Sequence, residues 1–114
     1  MDKKTTSIYE VQLRSFIESL RPTEEETRKL LDFGYIWDGQ TAFLFEIRPK
    51  WNNPTEIQQH HFAKIRYMKS SKIWKLYWLR ASGKWELYEP HPGNANLHEL
   101  FTEIKNDVYH CFFG

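Results

Sequence analysis

The chain is poor in the residues that cross-link or punctuate a polypeptide: its 114 residues include one cysteine, five glycines and five prolines. A lone Cys111 excludes an intramolecular disulfide, and no Cys and His run has zinc-site spacing, so a reducing cytoplasm is the expected location. No Gly/Ser linker, low-complexity tract or fixed-period repeat interrupts the sequence. No apolar run reaches the length of a signal peptide or a membrane span, so a soluble protein without membrane association is expected. Net charge is nearly absent too, +1 from 16 basic and 15 acidic residues, so any electrostatic function must come from local patterning.

Against these absences, 40% of the residues are hydrophobic and 17% aromatic, with five Trp, six Tyr and eight Phe. That is enough to fill one core, and the length suits one domain over 1–114, with 1–6 expected as a flexible tail. Tyr9, Leu13, Phe16, Ile17 and Leu20 recur at helical spacing over 7–20. Ser7 and Glu10 are spaced as a capping box, and Pro22 ends the helix. Thr23 and Glu26 repeat the capping spacing, which predicts a further short helical turn.

From Leu31 the period falls to two. Phe33, Tyr35 and Trp37 alternate with Gly34, Ile36 and Asp38, and over 41–48 Phe43, Phe45 and Ile47 alternate with Leu44, Glu46 and Arg48. Asp38-Gly39 between these runs predicts a type I′ hairpin turn, and Pro49 and Pro54 bracket a loop over 49–55. Strands are expected over 60–69, 72–80 and 84–89, joined by turns at Ser70-Ser71 and Ser82-Gly83. Pairing outward from two-residue turns sets Tyr67 against Trp74, Ile65 against Leu76, Ala63 against Trp78, Trp78 against Leu87, and Trp85 beside Arg80. One sheet face is then almost wholly apolar; the other mixes Phe62, Lys64, Arg66, Met68, Ile73, Lys75, Tyr77, Leu79, Lys84, Glu86 and Tyr88. A last stripe of Leu97, Leu100, Phe101, Ile104 and Val108, with Asn96 and Glu99 spaced as a cap, predicts a helix over 97–108. The expected fold is α+β: an N-terminal helix, a five-stranded antiparallel meander and a C-terminal helix, with both helices on one sheet face.

Several of these strings together resemble a known family. Leu44-Phe45-Glu46-Ile47-Arg48-Pro49 with Trp51 and Pro54, Ala63-Lys64-Ile65-Arg66-Tyr67, Trp74-Lys75-Leu76-Tyr77-Trp78, Gly83-Lys84-Trp85, Tyr88 and the ending Phe112-Phe113-Gly114 resemble the small bacterial family called domain of unknown function 3024. The resemblance runs from about Leu31 to the end and departs from the family pattern at Phe113, where a Trp is usual. It implies a bacterial origin and a complete single domain, and it brings no activity, cofactor or catalytic residue.

Charge placement is the anomaly that points to function. Between Glu56 and Glu86 lie Lys64, Arg66, Lys69, Lys72, Lys75, Arg80 and Lys84 with no acid among them. On the mixed face, Arg48, Lys64, Arg66 and Lys75 are expected near Tyr77 and Tyr88, where cations can neutralise phosphates and rings can stack on unpaired bases. The plainer reading is a solvated face whose Lys and Arg stems cover apolar surface, with Glu46 and Glu86 as cross-strand partners.

Other chemistries fare worse. Asp38 with Glu46-Ile47-Arg48 resembles the spacing of metal-dependent nucleases, but Arg48 cannot serve as a base, Asp38 is a turn residue, and a hairpin separates the two carboxylates. His60, His61, His91, His98 and His110 lack ligand spacing, and Cys111 beside His110 reads as a half-buried structural thiol. Trp74, Trp78 and Trp85 could line a ligand cavity but are expected as core. The expectation is a non-catalytic binding module without cofactor or metal, whose partner is nucleic acid or another protein. The alternatives are a metal-dependent hydrolase, or a homodimer burying Ile73, Tyr77 and Leu79 of the mixed face.

Overall fold

A computed structural model describes residues 8–113. The elements in chain order are α1 (Ile8–Leu20), α2 (Glu25–Arg28), β1 (Asp32–Trp37), β2 (Thr41–Lys50), β3 (Asn53–Met68), β4 (Ile73–Leu79), β5 (Trp85–Leu87), β6 (Gly93–Asn94) and α3 (Leu97–Asn106). The sheet runs β1-β2-β3-β4-β5 as an antiparallel meander, and the two-residue β6 shares the outer edge of β4 with β5. This is the expected α+β architecture, with β6 as an unforeseen addition. The tail at 1–6 and the Ser7 half of the first capping box lie outside the described residues.

The apolar stripes do what their periods predict. Leu13, Phe16 and Ile17 of α1 and Leu97, Leu100, Phe101 and Ile104 of α3 are buried in one core with Ala42, Leu44, Ala63, Ile65, Trp74 and Leu76 from the sheet. The helices meet where Phe16 stacks on Phe101, ring centroids 4.4 Å apart. Removing each of the Leu, Ile and Phe side chains from water contributes about 1.5–3 kcal/mol, so this layer supplies most of the cohesion. Arg21 anchors the far end of α1 to β1 through two hydrogen bonds to the Asp32 carboxylate, at 2.7 and 3.0 Å. They hold that carboxyl below its ordinary pKa.

Both ends of α3 are finished by side chains. The Asn96 side chain accepts from the His98 amide at 2.9 Å, as an N-cap should, while the Asn96 amide donates to Asn94 Oδ1 at 2.7 Å. The helix stops at Asn106, short of Val108, because Asp107 adopts the left-handed conformation at φ 44°. Buried Asp107 then accepts from the amides of Phe112 and Phe113, at 3.0 and 2.8 Å. That bend lays Phe112 against Tyr88, and Phe113 against Phe62 and Phe33. Phe113 is thus a packing residue. At α2 the Thr23 and Glu26 box is not realised; the N-cap is Glu24, with no side-chain cap bond.

Four turns or junctions correct the expected strand map. The first hairpin turns on Gly39 and Gln40, since Trp37 pairs with Ala42 and only Gly39 has positive φ, at 100°. A single glycine at the first central position marks a II′-like turn rather than I′. Asp38 steps back one place and accepts from the Gln40 and Thr41 amides instead, which keeps its carboxyl acidic. Pro49 and Pro54 do not delimit a loop: β2 runs to Lys50 and β3 starts at Asn53, leaving Trp51 and Asn52 between strands, but the ladder is irregular there, Pro49 pairing with Ile57 and Lys50 with Asn53 so that 54–56 have no β2 partner. Proline is admissible there because these positions have open strand edges.

The β3–β4 register is as expected, Ala63↔Trp78, Ile65↔Leu76 and Tyr67↔Trp74. The next hairpin differs by one residue. Arg80 and Lys84 bracket Ala81, Ser82 and Gly83, with Gly83 at φ 87°, so the loop has three residues and Trp78 faces Glu86 rather than Leu87. Leu79, not Arg80, pairs with Trp85. Finally, a β-bulge in β3 breaks the ladder between Leu44↔Ala63 and Phe45↔His61. It turns Phe62 into the core, and the chain at Tyr88 also turns inward. Neither ring belongs to the mixed face.

Candidate functional site

The two long helices, α1 and α3, cover the side of the sheet that carries Leu44, Ala63, Ile65 and Leu76, and neither of them packs on the opposite side. Strand alternation fixes what that open side displays. One cross-strand row runs Ile36, Phe43, Lys64, Tyr77, Leu87, and a neighbouring row runs Thr41, Arg66, Lys75. Lys64 Nζ lies 4.9 Å from the Tyr77 ring centroid and 5.8 Å from that of Phe43, so its charge rests between two rings. Phe43 in turn touches Trp85 and His61, with centroids 5.8 Å from each. Phe45 stacks on His61 and lies across Gly34, where an added Cβ would meet the Phe45 ring at 2.8 Å. Burial in this aromatic setting holds the His61 pKa below its ordinary value.

Electrostatically the open side is unfinished. Arg66 and Lys75 stand directly opposite one another, an arrangement that costs stability unless an anion lies between or above them. Among the described residues Lys64, Arg66 and Lys75 form no ion pair, although Arg14, Arg21, Lys29, Arg48, Lys50 and Arg80 all do. Lys69 and Lys72 flank the adjoining β3–β4 turn and add positive charge at that end.

Of the six residues expected to make up a basic and aromatic site, the fold brings four together: Lys64, Arg66, Lys75 and Tyr77. Arg48 projects with Leu44 and Glu46 toward the helix side and is bound to Glu46, Nε to Oε1 at 2.9 Å. Tyr88 is wholly buried against Phe112, and its hydroxyl finds no hydrogen-bond partner among the described residues. Burial pushes its pKa up to about 12. In their place the face gains Phe43 and Trp85. The alternation of Phe43 against Leu44 carries the first; the second reaches this side through the three-residue loop, which pairs Trp85 with Leu79.

The chemistry of the alternative readings is dispersed. Asp38 is committed to backbone amides and Glu46 to Arg48, and no group of three or more His, Cys, Asp or Glu among the described residues could hold a metal ion. Burial raises the Cys111 thiol pKa, the opposite of what an activated nucleophile needs. Of the three tryptophans weighed for a cavity, Trp74 is core, Trp78 packs against its border, and Trp85 lies on the open side. No helix among the described residues is long and apolar enough to cross a membrane.

Fold and surface together define a small α+β domain with one sheet face covered and the other open, basic and aromatic. The chain belongs to the family described as Domain of unknown function (DUF3024), which it matches over residues 1–114 and thus through α1 as well as the sheet. No curated protein and no solved structure matches it.

Proposed function

We propose that this domain is a non-catalytic binding module that takes single-stranded nucleic acid on its open sheet face. The carrying observation is the set of cations Lys64, Arg66 and Lys75, without an ion pair among the described residues and two of them directly opposed, beside the Tyr77 and Phe43 rings. Phosphates satisfy the cations, and unpaired bases offer flat surfaces to the rings. Three phosphate contacts correspond to a log–log salt slope of about −2, so affinity falls roughly 20-fold between about 50 and 200 mM salt.

Fluorescence anisotropy with mixed-sequence oligonucleotides measures this directly. Arg66→Ala and Lys75→Ala should each flatten the slope by about one contact. Tyr77→Ala should weaken binding by about 1–3 kcal/mol and leave the slope unchanged. No binding at low salt, where attraction is greatest, refutes the reading.

A further inference from the structure

The β2–β3 hairpin extends beyond the sheet as an arm. β3 is paired on its second edge by β4 only from Ala63 onward, so among the described residues the β4-side edge of 53–61 faces no strand, and within that segment 54–56 are extended but lie outside the β2 ladder as well. Every residue of 51–60 is exposed, including Ile57 at 65% and Trp51 at 93%. A two-stranded ribbon with no further partner is at best marginally stable in water, and a free edge is a template for another strand.

We infer that residues 53–61 form a homodimerisation edge, pairing antiparallel with the same segment of a second copy so that Ile57 faces its own counterpart. The register follows from symmetry. A two-fold axis normal to a continuous sheet pairs residues whose numbers sum to a constant, and full use of the free segment centres that axis on Ile57. The central side chain is then the exposed aliphatic one, and each Ile57 covers the other.

Charge favours self-pairing over a charged partner. The segment carries no Lys or Arg, and its one acid, Glu56, is already matched by Lys50 at 3.7 Å and by Asn53 at 2.7 Å. Two arms therefore meet without net repulsion, opposite Glu56 stands a neutral Gln58, and the missing amide of Pro54 removes only one donor. The same register carries Trp51, beyond the paired segment, to the level of the partner's Ala63, where β4 takes over the edge. That gives this exposed indole a surface to cover. Ile57, at the axis, lies seven residues along β3 from Lys64, so an Ile57 variant leaves Lys64, Arg66 and Lys75 untouched and dimerisation and nucleic-acid binding can fail independently.

Sedimentation velocity of the full chain across a wide concentration range should show a monomer–dimer equilibrium, which Ile57→Lys weakens by about tenfold or more by opposing two charges at the axis. Its circular dichroism and melt should match the parent, since the position is exposed. Register is tested in a Cys111→Ser background with oxidised glutathione as oxidant. Ile57→Cys should form a disulfide-linked dimer, whereas Gln59→Cys should not, because its counterpart is displaced by four residues, roughly 13 Å along the strand. A monomer at every concentration, a dimer indifferent to Ile57→Lys, or equal cross-linking at both positions overturns the inference.

Discussion

Replacing Asp107 separates two contributions that the C-terminal bend combines. The residue is buried, sits at φ 44°, and its two carboxylate oxygens accept from the Phe112 and Phe113 amides at 3.0 and 2.8 Å. Hydrogen bonds to a charged group are each worth about 1.5–3 kcal/mol, so losing both costs about 3–6 kcal/mol. Left-handed backbone costs a residue with a Cβ about 1–2 kcal/mol, less for Asp, and essentially nothing for Gly. Asp107→Ala should therefore be the most destabilised variant. Asp107→Gly should recover about 1 kcal/mol of the strain while still lacking the bonds, and Asp107→Asn, which retains one acceptor and tolerates the conformation, should lose least. A domain of this size has about 5–15 kcal/mol in total, so the alanine variant should melt at least about 10 °C lower. Urea denaturation gives the free energies, and limited proteolysis reports whether the Phe112 and Phe113 tail detaches first. An alanine variant within about 1 kcal/mol of the parent, or one more stable than the glycine variant, refutes the account.

Two further outcomes follow from polar groups that the fold buries or holds in hydrogen bonds. Tyr88→Phe removes a hydroxyl that has no partner among the described residues, so stability should hold or rise by about 1 kcal/mol; a loss of that size in a thermal melt would mean the hydroxyl is bonded. Acidification should destabilise in two stages. His61 has a depressed pKa in the fold, so the unfolded chain binds its proton first and stability drops as pH falls below about 6.5, a stage that His61→Phe should remove. Asp32 and Asp38 are also depressed, so their contribution is complete above about pH 3.9 and is lost as pH falls through their folded values. Denaturant midpoints measured from pH 8 to 3 test both stages, and a flat profile contradicts them.

Much of this architecture is legible in the sequence because burial enforces period. The stripes of α1 and α3 and the β3–β4 register need only alternation, and the four residues between Met68 and Ile73 preserve the same pairing as a two-residue turn. Failures occur where one residue changes parity. Gly83 turns a two-residue loop into three, and a bulge has no residue signature when the residue it turns, Phe62, is apolar on either side. Tyr88 is misplaced for a similar reason: its amide still reaches the Leu76 carbonyl, at 2.9 Å, but the chain is already leaving the sheet plane for Pro90. Of the site, the acid-free run located Lys64, Arg66, Lys75 and Tyr77, whereas Arg48 was lost to strand parity. Asp107 had a signal that alternation does not weigh, an Asn-Asp pair at the end of a helical stripe, where left-handed backbone is tolerated.

The bulge at Phe62 separates the history of the arm from that of the core. On its inner side, Ala63, Ile65 and Tyr67 are held in phase by Trp78, Leu76 and Trp74. On its outer side, among the described residues, only β2 reads the facing of this segment, and it does so at 57–61 and Asn53 alone. A one-residue insertion or deletion at this junction would rotate the outer segment, exchanging Ile57 and Gln59 with Glu56 and Gln58 between the two sides and putting His60 in the place of His61 against Phe45, while the pairs from Ala63 inward stayed where they are. In most half-buried strands such a change ejects the core; here it would re-dress an exposed arm and trade one histidine ring for another at its root. Length variation in relatives should therefore collect at this point, and with it the identity of whatever their arms meet.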